Sequence, residues 1–356
     1  MSRNLSRLTA GVILVAGLAC ASTAMAAQYS ATQLRAWPGQ DHAVGTGLTT
    51  NDGIVGIAGA TNGGTEHGLS FVTPGALPVD LCGTLYPTGC PVYGVNDRRE
   101  IVGGAADASG HDTAYVGTLD GSITPIGTLP DDVASVAMAI NRSGLIVGQS
   151  YGSSGIRGFV ADPGGVNMRE LSGLGGSTMP RAVNSTGMVA GMSDKSVNGP
   201  RHAFAVSALG GAPVDLGTLG GESSAALGIN DDNVVVGEAE VRGNKSHGFR
   251  INADGTGRLD LGLLKGYRYS SAKAINKLGV IVGAASSPLD SDDIYSRAVV
   301  FYPAVGKWRD LNMLTVDGVP AGVRLTEATA INKKGHILVN GSDGSIYLLK
   351  PIPASD

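Results

Sequence analysis

AINRSGLIVG occupies residues 139–148, and close copies of this segment recur along the chain. The clearest copies are AVNSTGMVAG at 182–191, GINDDNVVVG at 228–237 and AINKLGVIVG at 274–283, with looser versions at 48–56, 94–103 and 330–339. With the Asn as anchor, the seven anchors are Thr50, Asn96, Asn141, Asn184, Asn230, Asn276 and Asn332. The steps between them are 46, 45, 43, 46, 46 and 56 residues, and self-similarity at this period indicates an array of one small unit.

Each unit contains four short segments of strand composition. The first is small and alternating and ends at the anchor, and the second is the Ile-Val-Gly segment. The third is aromatic or β-branched, as in HAFAV at 202–206, and the fourth ends in an acidic residue followed by Leu, as in Asp215-Leu216. Gly, Asn, Asp or Pro bounds these segments, which is typical of strands joined by tight turns.

The Asn-x-x-Gly segment predicts the turn between the first two strands. An Asn side chain can accept a hydrogen bond from the backbone two residues on, and Gly allows a positive φ. Together they predict a type I turn closed by a glycine bulge. Asn233 replaces the Gly in one copy and tolerates the same conformation. Arg99 stands there in another copy, and the sequence does not explain it.

Four antiparallel strands in about 45 residues are typical of one blade of a β-propeller. We therefore predict an all-β fold: one seven-bladed β-propeller domain over residues 27–356. The last unit supplies only three strands, whereas Tyr29–Leu34 stands alone before the first unit. We predict that this segment supplies the missing strand and closes the ring. The alternative fold is a curved or stacked β-solenoid.

The N-terminus has the pattern of an export signal. Arg3 and Arg7 precede an apolar stretch, and Ala24-Met25-Ala26 matches a cleavage site, so residues 1–26 are predicted to be a signal peptide. A lipoprotein anchored through Cys20 is an alternative. The mature chain is expected to be periplasmic or extracellular and monomeric, without a transmembrane segment.

The mature composition disfavours a nucleic-acid partner. Removal of Arg3 and Arg7 from the 26 basic residues leaves 24 against 30 acidic ones, a net charge of −6. Nothing resembles the concentrated basic patch that nucleic-acid binding requires. Cys82 and Cys90 are the remaining cysteines, and in an exported protein they are expected to form one local disulfide.

One unit carries a specific resemblance. HAFAVSALGGAPVDLGTLGGESSAALGINDDNVVVGEA at 202–239 resembles the extracellular HAF repeat, which is named for its His-Ala-Phe triplet. The resemblance covers nearly all of residues 29–350, although the triplet decays in the other units. The resemblance implies a bacterial exported repeat protein, and it implies no particular biochemical activity.

Residues that depart from the repeat are the candidates for function, because loops on a rigid scaffold usually carry it. Three departures gather around the sixth unit: Tyr267, Arg268 and Tyr269; the acidic loop with Asp290, Asp292 and Asp293; and the long link that contains Asp317. We predict that they share one face of the propeller. Tyr267, Arg268, Tyr269 and Asp317 would contact a ligand. The three aspartates are a candidate Ca²⁺ site, although they match no known calcium loop.

Residues that recur in every unit are assigned to architecture. We expect the repeated His67, His202 and His247 to bond nearby loop backbone. The repeated acidic residue before Leu would accept hydrogen bonds that join blades. No catalytic residue is assigned, because there is no nucleophile elbow, no cofactor motif and no unique pair of carboxylates. Apart from Ca²⁺, no cofactor is expected.

Three functions remain open. The first is a non-catalytic binding module that recognises a glycan or protein through one loop face. The second is an exported hydrolase or lyase that acts on a glycan or peptide at the channel mouth, with Asp131, Asp132, Glu222, Arg268 and Asp317 as its few titratable candidates. The third is a structural protein of the envelope or matrix.

Overall fold

The computed structural model of the protein describes residues 28–34, 42–59, 66–71, 76–83, 89–106, 110–243, 245–288 and 294–353. The predicted signal peptide, its alternative lipid-anchor residue Cys20, and Asp290, Asp292 and Asp293 lie outside these residues. Among the described residues no helix is long and apolar enough to cross a membrane.

The chain folds into a seven-bladed β-propeller, and blades 1 to 6 are antiparallel sheets of four strands in chain order. This confirms the predicted fold and excludes the solenoid. Blades 1 to 3 consist of β2 (His42–Leu48), β3 (Ile54–Gly59), β4 (His67–Phe71) and β5 (Val79–Asp80); β6 (Val92–Val95), β7 (Glu100–Ala106), β8 (Asp112–Thr118) and β9 (Ile123–Gly127); and β10 (Asp132–Ile140), β11 (Ile146–Gly152), β12 (Gly155–Asp162) and β13 (Val166–Leu171). Blades 4 to 6 consist of β14 (Thr178–Val183), β15 (Met188–Asp194), β16 (Arg201–Ser207) and β17 (Val214–Gly217); β18 (Ser224–Ile229), β19 (Val234–Val241), β20 (Lys245–Asn252) and β21 (Leu259–Asp260); and β22 (Tyr269–Ile275), β23 (Ile281–Pro288), β24 (Ile294–Tyr302) and β25 (Lys307–Asp310).

Blade 7 combines both ends of the chain. It contains β27 (Leu325–Ile331), β28 (Ile337–Gly341), β29 (Ile346–Pro351) and the N-terminal strand β1 (Tyr29–Leu34), which pairs antiparallel with β29 over its whole length. The predicted closure of the ring is therefore confirmed. A short helix α1 (Leu311–Leu314) and β26 (Thr315–Asp317) follow blade 6, and β26 adds a fifth strand parallel to β1. The sequence analysis did not anticipate this fifth strand.

The glycine of the Ile-Val-Gly segment is needed where the innermost strand bulges. In all seven blades the pairing between the first two strands shifts register two to four residues before the anchor. A Cβ on Gly148 would overlap the carbonyl oxygen of Val136, and a Cβ on Gly237 would overlap that of Ala225. Glycine is the residue that permits such a close backbone approach.

The hydrophobic core lies between neighbouring blades. Val102 of blade 2 and Ala137 and Phe159 of blade 3, all fully buried, belong to one cluster. Val147 of blade 3 and Phe204 of blade 4 belong to the next. Packing of each sheet on the next fixes the ring as a stiff frame, and Cys82 and Cys90 form the predicted disulfide beside β5.

Candidate functional site

The predicted turn has the expected geometry in each blade. The anchor of blade 1 is Thr49, one residue before the predicted Thr50, because the N–H of Thr49 donates to Gly53 O and that of Asp52 to Thr49 O. The fourth turn residue has a positive φ in every blade, including Arg99 (φ 68) and Asn233 (φ 59). The Oδ1 atom of Asn141 accepts from the N–H groups of Ser143 and Leu145, as the turn chemistry predicts.

The anchor side chains also join the blades. Nδ2 of Asn141 donates to the carbonyl of Asn184 at 2.9 Å, and Nδ2 of Asn184 donates to the carbonyl of Asn230 at 3.0 Å. The same bond runs from each Asn to the next blade and ends at Thr49 O. The anchors are therefore structural, as predicted, and they form a chain of hydrogen bonds around the axis. We call the face that holds these turns the turn face.

A cavity of about 220 Å³ lies at the turn face. The residues just before and just after the anchors line it. Those before the anchors are apolar, namely Leu48, Val95, Ile140, Val183, Ile229, Ile275 and Ile331. Those after the anchors are polar or charged, namely Thr50, Asp97, Arg142, Ser185, Asp231, Lys277 and Lys333.

Two acidic residues of this rim serve the blade junctions. Asp97 accepts from the N–H and Oγ1 of Thr50 at 2.8 and 3.0 Å. This contact lies where the anchor Thr49, unlike the Asn of the other blades, has no side-chain amide to donate. Asp231 accepts from the N–H of Ser185 at 3.1 Å. Burial alone would raise the pKa of Asp231, but these hydrogen bonds and the charges of Lys333 and Lys277 outweigh it and lower that pKa. We assign this rim to the frame.

The opposite face, which we call the loop face, holds the links between blades and the turns between second and third strands. A cavity of about 550 Å³ opens there over blades 5, 6 and 7. Its polar lining consists of hydroxyl groups, two carboxylates and one ammonium group: Ser246, Ser270, Ser271, Ser286, Ser296, Thr326, Tyr269, Glu238, Glu327 and Lys273. We call it the blade 5–7 groove.

Charge pairing orders one end of this groove. Lys273 Nζ lies 3.1 Å from Glu327 Oε1, so the inner strands of blades 6 and 7 are tied together across it. Ser296 Oγ donates to Thr326 O at 2.8 Å. Ser271 Oγ is buried without a hydrogen-bond partner among the described residues. A neighbouring cavity of about 220 Å³ shares Glu238 and Ser246 and extends the groove toward Arg201 and Glu240.

The structure brings only part of the predicted site into this groove. Tyr269 lines the groove, whereas Tyr267 packs against the apolar cluster that contains Trp308. Arg268 is exposed, and its backbone N–H donates to Ser286 O and Ser287 Oγ.

Asp317 is not brought together with these residues. It is exposed on β26, which pairs with β1 at the outer edge of blade 7. Four strand spacings, roughly 19 Å, separate β26 from the innermost strand β27. The long link is thus used mainly to widen blade 7.

The repeated histidines bind carboxylates of their own blades. Nδ1 of His202 lies 2.8 Å from Asp215, and His67 and His247 pair in the same way with Asp80 and Asp260. In blades 3 and 6 an arginine replaces the histidine, as in Arg157 with Glu170. The predicted backbone partner of the histidines and the predicted blade-joining role of the acidic residues are therefore wrong: each pair clasps the third and fourth strands of one blade. The fourth strands have only two to six residues, so a side-chain pair secures their ends.

One metal-like grouping occurs among the described residues, namely His67, Asp80 and Cys82. Cys82 is bonded to Cys90, so its sulfur is not available as a thiolate. The remaining His67–Asp80 pair repeats the clasp of the other blades. We therefore assign this grouping to structure.

The groove residues Glu238, Lys273 and Glu327 were missed by the sequence analysis. They lie within strands, whereas the sequence prediction rested on loops that depart from the repeat. The available signal was chemical. Lys273 stands three positions before its anchor, where five of the other six units have a neutral residue, and Glu327 stands five positions before its anchor, where the other units have Val, Pro, Met, Ala or Ser.

No protein-family model and no curated protein sequence matches the chain. Solved structures do match its fold. The β-propeller domain of the Trilobed protease from Pyrococcus furiosus aligns with a TM-score of 0.54 at 7% identity, over 89% of this chain and 97% of that chain. The protein lmo1340 from Listeria monocytogenes EGD-e aligns with a TM-score of 0.53 at 13% identity, over 89% and 97%. The Pyrococcus horikoshii acylaminoacyl peptidase aligns with a TM-score of 0.53 at 8% identity, over 88% of this chain and 52% of that chain. At such identities these likenesses establish what the chain is similar to in fold, a β-propeller, and nothing further.

Proposed function

We propose that the protein is an exported, non-catalytic binding module of the HAF-repeat type that holds an extended polar ligand, a glycan chain, in the blade 5–7 groove. The observation that carries the proposal is the lining of this groove. A cavity of about 550 Å³ is lined by hydroxyl groups, Glu238, the Lys273–Glu327 pair and Tyr269.

The chemistry of the groove suits a ligand with many hydroxyl groups. Serine and threonine hydroxyls both donate and accept, carboxylates accept, and Lys273 donates. Tyr269 supplies one apolar surface with a polar tip. The continuation of the groove toward Arg201 and Glu240 favours a chain-like ligand over a single small molecule.

A protein partner is less favoured by this geometry. Protein-binding surfaces depend on buried aromatic and arginine anchors in an apolar centre. In the part of the chain that the structure describes, the groove offers one tyrosine and no arginine, and ten of its eleven lining residues have polar side chains.

A hydrolase is the second candidate, because Glu238 and Glu327 line the same groove. Glu327 is already engaged by Lys273 at 3.1 Å, which holds it as a partner of a cation. Glycoside hydrolysis needs one carboxyl group that donates a proton and another that acts as base or nucleophile. The Lys273–Glu327 pair is thus better suited to binding than to proton donation.

The test is a thermal-shift screen of residues 27–356 against envelope and plant-type oligosaccharides and Ca²⁺, with new reducing ends assayed in the same samples. A ligand at a hundred times its Kd adds about 2.7 kcal/mol to the free energy of unfolding. We expect a shift with an oligosaccharide and no new reducing ends. A shift with Ca²⁺ alone would move the site to the acidic loop of Asp290, Asp292 and Asp293.

Two matched variants locate the site. Lys273→Gln and Lys277→Gln remove the same charge from one strand and from the turn that follows it, but Lys273 lines the groove whereas Lys277 lines the turn-face cavity. The oligosaccharide shift should disappear in Lys273→Gln and in Tyr269→Ala and persist in Lys277→Gln. New reducing ends would favour the hydrolase instead, and the absence of any shift would favour a structural role.

A further inference from the structure

A second set of polar groups lies in the channel, on the side away from the blade 5–7 groove. The residue at the bulge of each innermost strand, three positions before the anchor, is partly exposed, whereas the next residue toward the start of the strand is buried. Because these strands are innermost, their partly exposed positions face the channel. The seven bulge residues are Thr46, Tyr93, Met138, Arg181, Leu227, Lys273 and Thr329.

Two of these residues are cations, and they differ in their surroundings. Lys273 is paired with Glu327. Arg181 forms no ion pair with a carboxylate of the described part of the chain, and its Nε atom is buried without a hydrogen-bond partner there. Burial lowers the pKa of the Arg181 guanidinium, and the charge of Arg201 lowers it further, while Tyr151 and Tyr93 act in the opposite direction. A partly buried cation without a counter-charge is unfavourable, and an anion that accompanies it would relieve that cost.

Tyr151, whose charge acts on Arg181, also connects this arginine to a second unpaired donor of the described chain. Gln149, which is 4% exposed, has its Nε2 atom buried without a partner in the described residues, while its Oε1 accepts from the Tyr151 hydroxyl at 2.9 Å. Burial raises the pKa values of Tyr93 and Tyr151, so both hydroxyl groups stay protonated at neutral pH. The charges of Glu66 and Asp112 also raise the pKa of Tyr93. Neither carboxylate forms an ion pair with Arg181 in the described part of the chain.

We propose that Arg181 is the centre of an oxyanion-binding site in the channel, with Gln149 Nε2 as a second donor, and that it takes the carboxylate or phosphate group of a small ligand. The guanidinium supplies up to five N–H donors in a planar fork that matches two oxygens of such a group. The site uses blades 3 and 4, whereas the groove uses blades 5 to 7, so this proposal does not depend on the proposed function.

Titration calorimetry of residues 27–356 with inorganic phosphate, galacturonate and galactose tests the site. Binding of galacturonate and not of galactose assigns it to carboxylates, whereas binding of phosphate alone assigns it to phosphate groups. Arg181→Gln should weaken the binding at least about tenfold, since a hydrogen bond to a charged group contributes that much or more. Arg142→Gln, which removes the same charge at the turn face, should leave it unchanged.

A melting curve without ligand separates loss of the site from loss of the fold. Arg181→Gln removes a partly buried charge that is unpaired within the described chain, so its melting temperature should equal or exceed that of the wild type. If neither anion binds the wild-type protein at millimolar concentration, the proposal is overturned. Equal binding to Arg181→Gln and the wild type would overturn it as well.

Discussion

The carboxylate of Asp52 lies 2.7 Å from Nδ1 of His336, although 284 residues separate them in the chain. Asp52 also accepts from Asn332 Nδ2 at 3.2 Å and lies 2.9 Å from Lys350 Nζ. One carboxylate of blade 1 thus engages three side chains of blade 7, at the junction where the ring closes.

Asp52→Asn should lower the free energy of unfolding at pH 7 by roughly 1–3 kcal/mol, because Asn332, His336 and Lys350 lose a buried charged acceptor. Burial acts to raise the pKa of Asp52, but the hydrogen bonds from Lys350 and His336 outweigh it and hold the pKa below the ordinary 3.8. The added stability is present above pH 3.8 and is lost as pH falls below it. Urea melts from pH 7 to pH 2.5 should therefore show the two proteins converging. Asp232→Asn, at an exposed position of the blade 5 turn, should show no comparable loss.

Tyr29→Phe should lower stability by about 1–2 kcal/mol at neutral pH, because it leaves the Tyr302 hydroxyl without its buried partner at 2.7 Å. Burial, aided by Tyr302, raises the pKa of Tyr29 well above 10.0. A raised pKa gives stability that is present below pH 10 and is lost as pH rises beyond it. The gap between the wild type and Tyr29→Phe should therefore shrink above pH 10 in denaturant melts. Tyr269→Phe is the matched control, and an equal effect there would contradict this account.

Asn184→Asp tests the chain of bonds between blades. Aspartate keeps the acceptor for the N–H groups of Thr186 and Met188 but cannot donate to Asn230 O or Asn233 Oδ1. We expect a loss of about 2–3 kcal/mol by thermal or chemical unfolding, and a larger loss for Asn184→Ala, which removes the acceptor too. If Asn184→Asp unfolds like the wild type, the bonds between blades add nothing to stability.

Arg99→Gly should stabilise the protein by about 0.5–1 kcal/mol. Arg99 holds a φ of 68, a conformation that is unfavourable for residues with a Cβ, and glycine adopts it freely at some entropic cost. Arg98→Gly is the neighbouring control, because Arg98 has no positive φ and donates from Nη1 to Ser143 O. Differential scanning calorimetry should show opposite shifts for the two variants.

Residues that recur could be interpreted from the sequence, because repetition reveals what the backbone requires. The Asn-x-x-Gly turns, the strand Tyr29–Leu34 that stands alone before the first unit, and the closely spaced Cys82 and Cys90 are each recognisable from neighbouring residues in the sequence. The bond from Asn141 to Asn184 was not predictable, because it depends on how one blade packs on the next.

The side chains of the two proposed binding sites are harder to recognise in the sequence. Lys273, Glu327 and Arg181 lie within strands, and their meaning depends on which positions face the channel. Which side chains face the channel is set by a bulge in each innermost strand, and the alternating small residues of the sequence do not reveal that bulge. Asp317 stood in a long link that was expected to form a loop, whereas its backbone pairs with Ser30 at the outer edge of blade 7.

The pairing of β1 with β29 also affects the order of steps in folding. β1 is the first and β29 the last of the described strands in chain order, so β1 is synthesised well before its partner, and the contact between Tyr29 and Tyr302 spans 273 residues. Bringing such distant segments together costs loop entropy before any hydrogen bond is gained, so closure of the ring is intrinsically a late and slow step. Until then the edge of β29 stays open to other chains. Because β1 covers the edge of β29, the ring can close only after all seven blades have been synthesised, and closure removes an edge that could pair with another chain.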